Sequence, residues 1–153
     1  MRALVLLLLA SSALARNSRF LETHRVNNMR GAEGVTIQRI VYESDGLKIG
    51  GYAAIPKGEE KLPCLILNRG GNANFSTWTA TVRRVRSRRL RRGATSSRRT
   101  EYRGAAGFSE GKDEFGGADT SDVLNQIPLL DAEPRCQAKR IGMIGWSRGG
   151  MMT

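Results

Sequence analysis

The stretch that decides the fold is Ile141-Gly142-Met143-Ile144-Gly145-Trp146-Ser147-Arg148-Gly149-Gly150. Ile141 to Ile144 is a short apolar run entered from the basic pair Lys139-Arg140, as expected of a buried strand. Gly145 to Gly149 then matches G-x-S-x-G, a serine on a sharp turn between a strand and a helix. Such a turn is too tight for bulky flanking side chains, which is why glycines bracket it. It holds the Ser147 hydroxyl above the sheet edge as a nucleophile. The next residue, Arg148, offers its backbone N–H to an oxyanion formed during acyl transfer.

Working back, Leu62 to Leu67 is a second apolar run, read as a strand buried on both faces. The Gly-rich loop Asn68-Arg69-Gly70-Gly71-Asn72 follows it. Further upstream, Val35, Ile37, Arg39 and Val41 alternate with polar or smaller positions, as in a half-exposed strand. Ser44-Asp45-Gly46 is turn chemistry, and Leu47 to Ile55 resumes the alternation, with Gly50-Gly51 read as a bulge. These two strands form an antiparallel hairpin. Gly104 to Gly117 reads as loop. Asp119 to Asp131 reads as a helix with Val123, Leu124, Ile127 and Leu130 on one face, capped by Asp119 or Thr120 and kinked by Pro128. Hairpin, strand, helix, strand and turn in this order make an α/β protein.

Four blocks resemble the catalytic domain of prolyl oligopeptidase-like serine peptidases. They are Asn68 to Asn72, Tyr102-Arg103-Gly104, Glu110 to Gly117 and Gly145 to Gly150. The resemblance covers about Val35 to Trp78 and Glu101 to Thr153. It implies an α/β-hydrolase fold, here incomplete: an N-terminal antiparallel hairpin, then strands of a mostly parallel sheet. It also implies a peptide or ester substrate cleaved through an acyl-enzyme, with Ser147 as nucleophile. The oxyanion loop is implied at Asn68, Arg69, Gly70 and Gly71, and Arg69 stands near the place where many members carry a tyrosine. No cofactor is expected. A carboxylesterase shares the same turn and loop and stays open as an alternative.

Fold members place a carboxylate and then a histidine after the nucleophile. Six residues follow Ser147 here, so the catalytic acid and His have no candidate, and the chain reads as an N-terminal piece that is inactive alone. The one histidine, His24, lies far upstream and reads as a solvated side chain. One His and two distant cysteines also leave no metal-ligand cluster. Cys64 and Cys136 permit one disulfide in an oxidising compartment, but Cys64 lies within a buried run, so we read them as two separate thiols.

Residues 1–15 read as an export signal. Arg2 is followed by the apolar run Ala3 to Ala10 and by Ala13-Leu14-Ala15, the small-x-small pattern cut by signal peptidase. The run is too short for a stable membrane anchor. The expected location is therefore periplasmic or secreted. Residues 16–34 form a lead segment, and 35–153 the partial hydrolase domain.

The net charge of +11 belongs to one segment. Nine arginines lie between Arg83 and Arg99 with no acidic residue among them, and without them the balance is 11 − 9 = +2. The run Val82 to Arg99 falls where the fold needs a helix and a buried strand, and its composition suits neither. One reading is a basic, nucleic-acid-binding segment. It carries no interleaved aromatics, and no nucleic-acid partner is expected for an exported hydrolase. The other is translation out of frame. Codons compatible with Gly93 to Arg99, shifted by one base, spell Gly-Tyr-Val-Val-Ala-Thr, a buried strand. Oligomeric state is not legible in the sequence.

Overall fold

The computed structural model describes residues 18–26, 34–75, 77, 95–105 and 107–153. The signal-like residues 1–15 and most of the arginine run, 82–94, lie outside them. The described chain forms β1 (Phe20–Arg25), β2 (Val35–Ser44), β3 (Leu47–Pro56), β4 (Leu62–Asn68), β5 (Ser96–Thr100), α1 (Thr120–Leu124), α2 (Gln126–Asp131), β6 (Cys136–Gly145) and α3 (Arg148–Met151). The six strands make one sheet in the order β1-β2-β3-β5-β4-β6. The first three and β5 pair antiparallel, while β4 pairs parallel with both β5 and β6.

The hairpin forms as expected. Asp45 and Gly46 both take positive φ (51° and 79°), the two-residue turn that Asp-Gly accommodates best. The expected bulge at Gly50-Gly51 is absent, and Gly50↔Val41 and Gly51↔Ile40 continue an unbroken register. The glycines serve close approach instead. A Cβ on Gly50 would meet the Phe108 carbonyl, and one on Gly51 the Arg99 carbonyl. Phe20–Arg25, from the lead segment, adds an edge strand against β2.

β4 is not buried on both faces. Cys64, Ile66 and Asn68 are buried, whereas the alternating Leu65 and Leu67 are half-buried. The two cysteines correct our reading of separate thiols. Cys64 on β4 and Cys136 on β6 face each other with Cα atoms 5.7 Å apart and form a disulfide. The parallel pairing of two strands 72 residues apart in sequence brings them together, which the apolar run around Cys64 did not reveal.

The expected helix is broken in two at Asn125. Pro128 explains the position. Its ring crowds the carbonyl four residues back, at Leu124, where α1 ends, and its missing N–H falls in the first turn of α2, where no intrahelical partner is needed. The buried face is also rotated. Val123 and Leu130 are buried as expected, but Leu124 and Ile127 are half-buried while Asp122 and Gln126 are fully buried. Asp122 is drawn inward because its carboxylate accepts hydrogen bonds from the Arg103 amide (2.7 Å), the Arg103 guanidinium (2.8 Å) and the Ser44 hydroxyl (2.7 Å). That bond to Asp122, followed by one to Asp45, holds the Arg103 guanidinium protonated well above its ordinary range.

A further correction concerns the arginine run. Its last four residues, together with Thr100, form the strand the fold needs, Ser96–Thr100, between β3 and β4. All five positions are buried. Arg98 reaches Glu133 at 3.0 Å and lies 4.4 Å over the Phe20 ring, and Arg99 lies 3.3 Å from Glu101. Burial lowers the Arg98 pKa to about 10, against the pull of Glu133. The backbone position thus overrides the side-chain chemistry. These two arginines are not part of an exposed basic surface.

Candidate active site

β4 and β6 run parallel, with Asn68 opposite Gly145 in register. The two Gly-containing turns therefore leave the sheet side by side at the carboxyl ends of neighbouring strands, where open α/β sheets build their sites. Ser147 is exposed and takes φ 54°, ψ −129°, a conformation L-residues rarely adopt. It is the N-cap of α3, and its carbonyl accepts the Gly150 amide at 2.8 Å. The bracketing glycines are required by contact. A Cβ on Gly145 would overlap the Gly149 backbone, and one on Gly149 would overlap the Asn68 carbonyl. The elbow rests directly on the start of the neighbouring loop.

Asn68 is fully buried. Its amide donates to the Met152 carbonyl and the Thr153 hydroxyl, both at 3.1 Å, tying the end of α3 to β4. Its side chain is thus used for structure. The Arg69 guanidinium is also fully buried, donating to the carbonyls of Glu101 (2.6 Å), Ala73 (2.8 Å), Phe75 (2.8 Å) and Gly70 (3.3 Å). It braces the loop from within, with its N–H groups turned to backbone carbonyls. Burial lowers its pKa, against the pull of Glu101. Gly70 packs against Trp146, and Gly71, at φ 74°, against Phe75.

The residues that sequence reasoning missed lie beneath these turns. The Arg148 side chain, not only its amide, is part of the arrangement. It is fully buried and donates to Gly71 O (3.0 Å), Asp113 Oδ2 (2.8 Å) and Asp119. Its guanidinium lies 4.8 Å from both the Tyr102 and Phe115 ring centroids. Tyr102, buried and at φ 60°, donates its hydroxyl to Arg69 O at 3.0 Å. Burial raises its pKa to about 12, against the neighbouring guanidiniums. Asp113 is pushed up by burial, but the Arg148 hydrogen bond and the Ala73 and Phe115 amides outweigh this and hold it below its ordinary value. Asp119, the N-cap of α1, makes no side-chain cap bond, because its carboxylate binds Arg148 and the Gly116 amide. The blocks around Tyr102 and Asp113 stood out in the sequence, but no periodicity reveals that they converge on Arg148.

His24 is exposed on edge strand β1, 3.2 Å from Glu22. β6 is the opposite edge, five inter-strand spacings of about 4.8 Å away, roughly 24 Å. His24 cannot reach Ser147. Among the described residues no group of three or more His, Cys, Asp or Glu is placed to hold a metal.

No family model matches the chain. It is 31% identical over 124 residues to the uncharacterized peptidase YtmA of Bacillus subtilis, a match that covers 79% of this chain and 45% of that protein. Among solved structures, an acetyl xylan esterase from Paenibacillus sp. R4 superposes with a TM-score of 0.66 at 18% identity, over 89% of this chain and 48% of its own. The esterase Est22 superposes with a TM-score of 0.65 at 20% identity, over 80% of this chain and 38% of its own. The fold is that of the α/β-hydrolases. The chain spans less than half the length of each of these three proteins.

Proposed function

We propose that this chain carries the nucleophile and the oxyanion site of a serine-type hydrolase acting through an acyl-enzyme. The observation that carries the reading is Ser147 at φ 54°, ψ −129° between β6 and α3, beside a Gly-rich turn leaving β4. In the proposed reaction Ser147 Oγ attacks an ester or amide carbonyl. The Arg148 amide and an amide of the Gly70–Gly71 turn receive the oxyanion, and collapse expels the alcohol or amine. Water then hydrolyses the acyl-enzyme. The serine proton needs a histidine base oriented by a carboxylate. His24 is too distant, so the reading requires a histidine that the described residues do not supply.

Peptide bonds are the substrate favoured by the 31% identity to a protein named as a peptidase. Ester cleavage is favoured by the esterases among the structural neighbours. Large apolar side chains stay exposed on the elements that build the site, Phe75, Phe115, Trp146 and Met151, which suits an apolar acyl or side-chain group. We also propose export: the Cys64–Cys136 disulfide fits an oxidising compartment, in keeping with the signal-like residues 1–15.

The test is a fluorophosphonate probe on the full-length protein. Labelling at Ser147, lost in Ser147→Ala and retained in His24→Gln, is the expected result. Labelling that survives Ser147→Ala would remove the proposal. Paired p-nitrophenyl ester and aminoacyl p-nitroanilide substrates then decide between esterase and peptidase.

A further inference from the structure

The carbonyls of three successive residues in the turn after β4 are each bound by a buried donor. Arg69 O accepts the Tyr102 hydroxyl (3.0 Å), Gly70 O accepts Arg69 NH1 (3.3 Å), and Gly71 O accepts Arg148 NH1 (3.0 Å). The donors form one stack. The Arg69 and Arg148 guanidiniums each lie 4.8 Å from the Tyr102 ring centroid. In a trans peptide the C=O and the following N–H point in opposite directions. With the carbonyls of 69, 70 and 71 turned toward the stack, the amides of Gly70, Gly71 and Asn72 turn away from it. Successive amides presented this way, one of them beside a positive-φ glycine, make an anion-binding concavity.

Arg148 is the member of the stack that belongs to the elbow itself. It also holds Asp113, whose Oδ2 accepts the Ala73 amide at 2.7 Å. One side chain thus grips the turn at Gly71 directly and at Ala73 through Asp113, while its own backbone follows Ser147. We propose that the Arg148 side chain is a positioning residue that locks the oxyanion turn to the nucleophile elbow. The proposal rests on the hydrolase reading above and adds a role for a side chain that cannot itself touch substrate.

The experiment compares wild type, Arg148→Met, Arg148→Lys, Asp113→Asn and Ser147→Ala in the full-length protein. Hydrogen–deuterium exchange is followed over residues 69–75, and kcat and KM on a p-nitrophenyl ester. Arg148→Met should speed exchange of this segment by at least about tenfold, since its amides lose their fixed frame. It should lower kcat about 30- to 100-fold with KM within about twofold, because a misplaced oxyanion donor acts on the transition state alone. Arg148→Lys should recover part of kcat, and Asp113→Asn should give a smaller loss of the same kind. Wild-type exchange and kcat in Arg148→Met would overturn the proposal, as would a loss in KM alone. If Arg148→Met does not fold, Arg148→Lys and Asp113→Asn decide by the same readouts. Activity that persists in Ser147→Ala would remove the hydrolase reading instead, and the exchange measurement would still report whether Arg148 holds the turn.

Discussion

The strand β5 offers a strong test of how this chain departs from its own fold. Ser96, Ser97, Arg98 and Arg99 are between 1% and 3% exposed, yet all four are polar. The one-base shift places Val-Val-Ala-Thr over the same four positions. The perturbation is therefore the quadruple variant Ser96→Val, Ser97→Val, Arg98→Ala, Arg99→Thr. Each Ser→Val adds about two methylene equivalents of buried apolar surface, or about 1.5 kcal/mol. Arg98 Nε and NH1 are buried with no partner among the described residues, and removing such orphaned donors recovers about 2 kcal/mol. Arg99→Thr contributes little either way, because Glu101 keeps Arg69 at 3.3 Å. Glu133 keeps access to solvent at 15% exposure. The space left by the shorter side chains costs about 1.5 kcal/mol. The balance is a gain of about 3.5 kcal/mol, which in a chain of this size raises Tm by about 7–14 °C. Urea titration and a thermal melt measure it directly. An unchanged or lower midpoint would mean that the buried arginines are structurally native, and would refute the reading that this strand is encoded out of frame.

Other outcomes follow from the same contacts. Gly149→Ala places a Cβ into the Asn68 and Arg69 carbonyls, so it should cost about 3 kcal/mol and abolish probe labelling at Ser147, both readable on one purified variant. Asp113 sits below its ordinary value near 3.8 in the folded state, so the stability it contributes is present above that value and is lost as pH falls through the lower, folded one. Acid titration of Asp113→Asn should show a shallower decline below about pH 4 than wild type. Native protein should present no thiol to Ellman's reagent until it is reduced, and reduction should lower stability by up to about 4 kcal/mol for a closed loop of 72 residues. Two reactive thiols in the native, unreduced protein would restore the reading of separate cysteines.

Local chemistry determined what the sequence could tell alone. Asp45-Gly46 specified the hairpin turn because few residue pairs accept two positive φ values in succession. Gly145 and Gly149, flanking the serine, specified the elbow because only glycine survives the backbone contacts at those two positions. Pro128 announced a disrupted helix because its effect reaches only four residues back. The tertiary structure decided what depends on residues meeting across the sheet. Parallel pairing of β4 with β6 joined Cys64 to Cys136, and no feature near either cysteine encodes that encounter. Ser96–Thr100 became a central strand because the gap between β3 and β4 demands backbone partners, whatever the side chains. The buried face of the helix pair turned toward Asp122 because Arg103 and Ser44, from two other segments, satisfy its carboxylate there. Arg148 was visible in the sequence as the residue after a serine. That its guanidinium stacks on Tyr102 and holds Gly71 and Asp113 is a fact of packing, since those partners come from three separate stretches of chain.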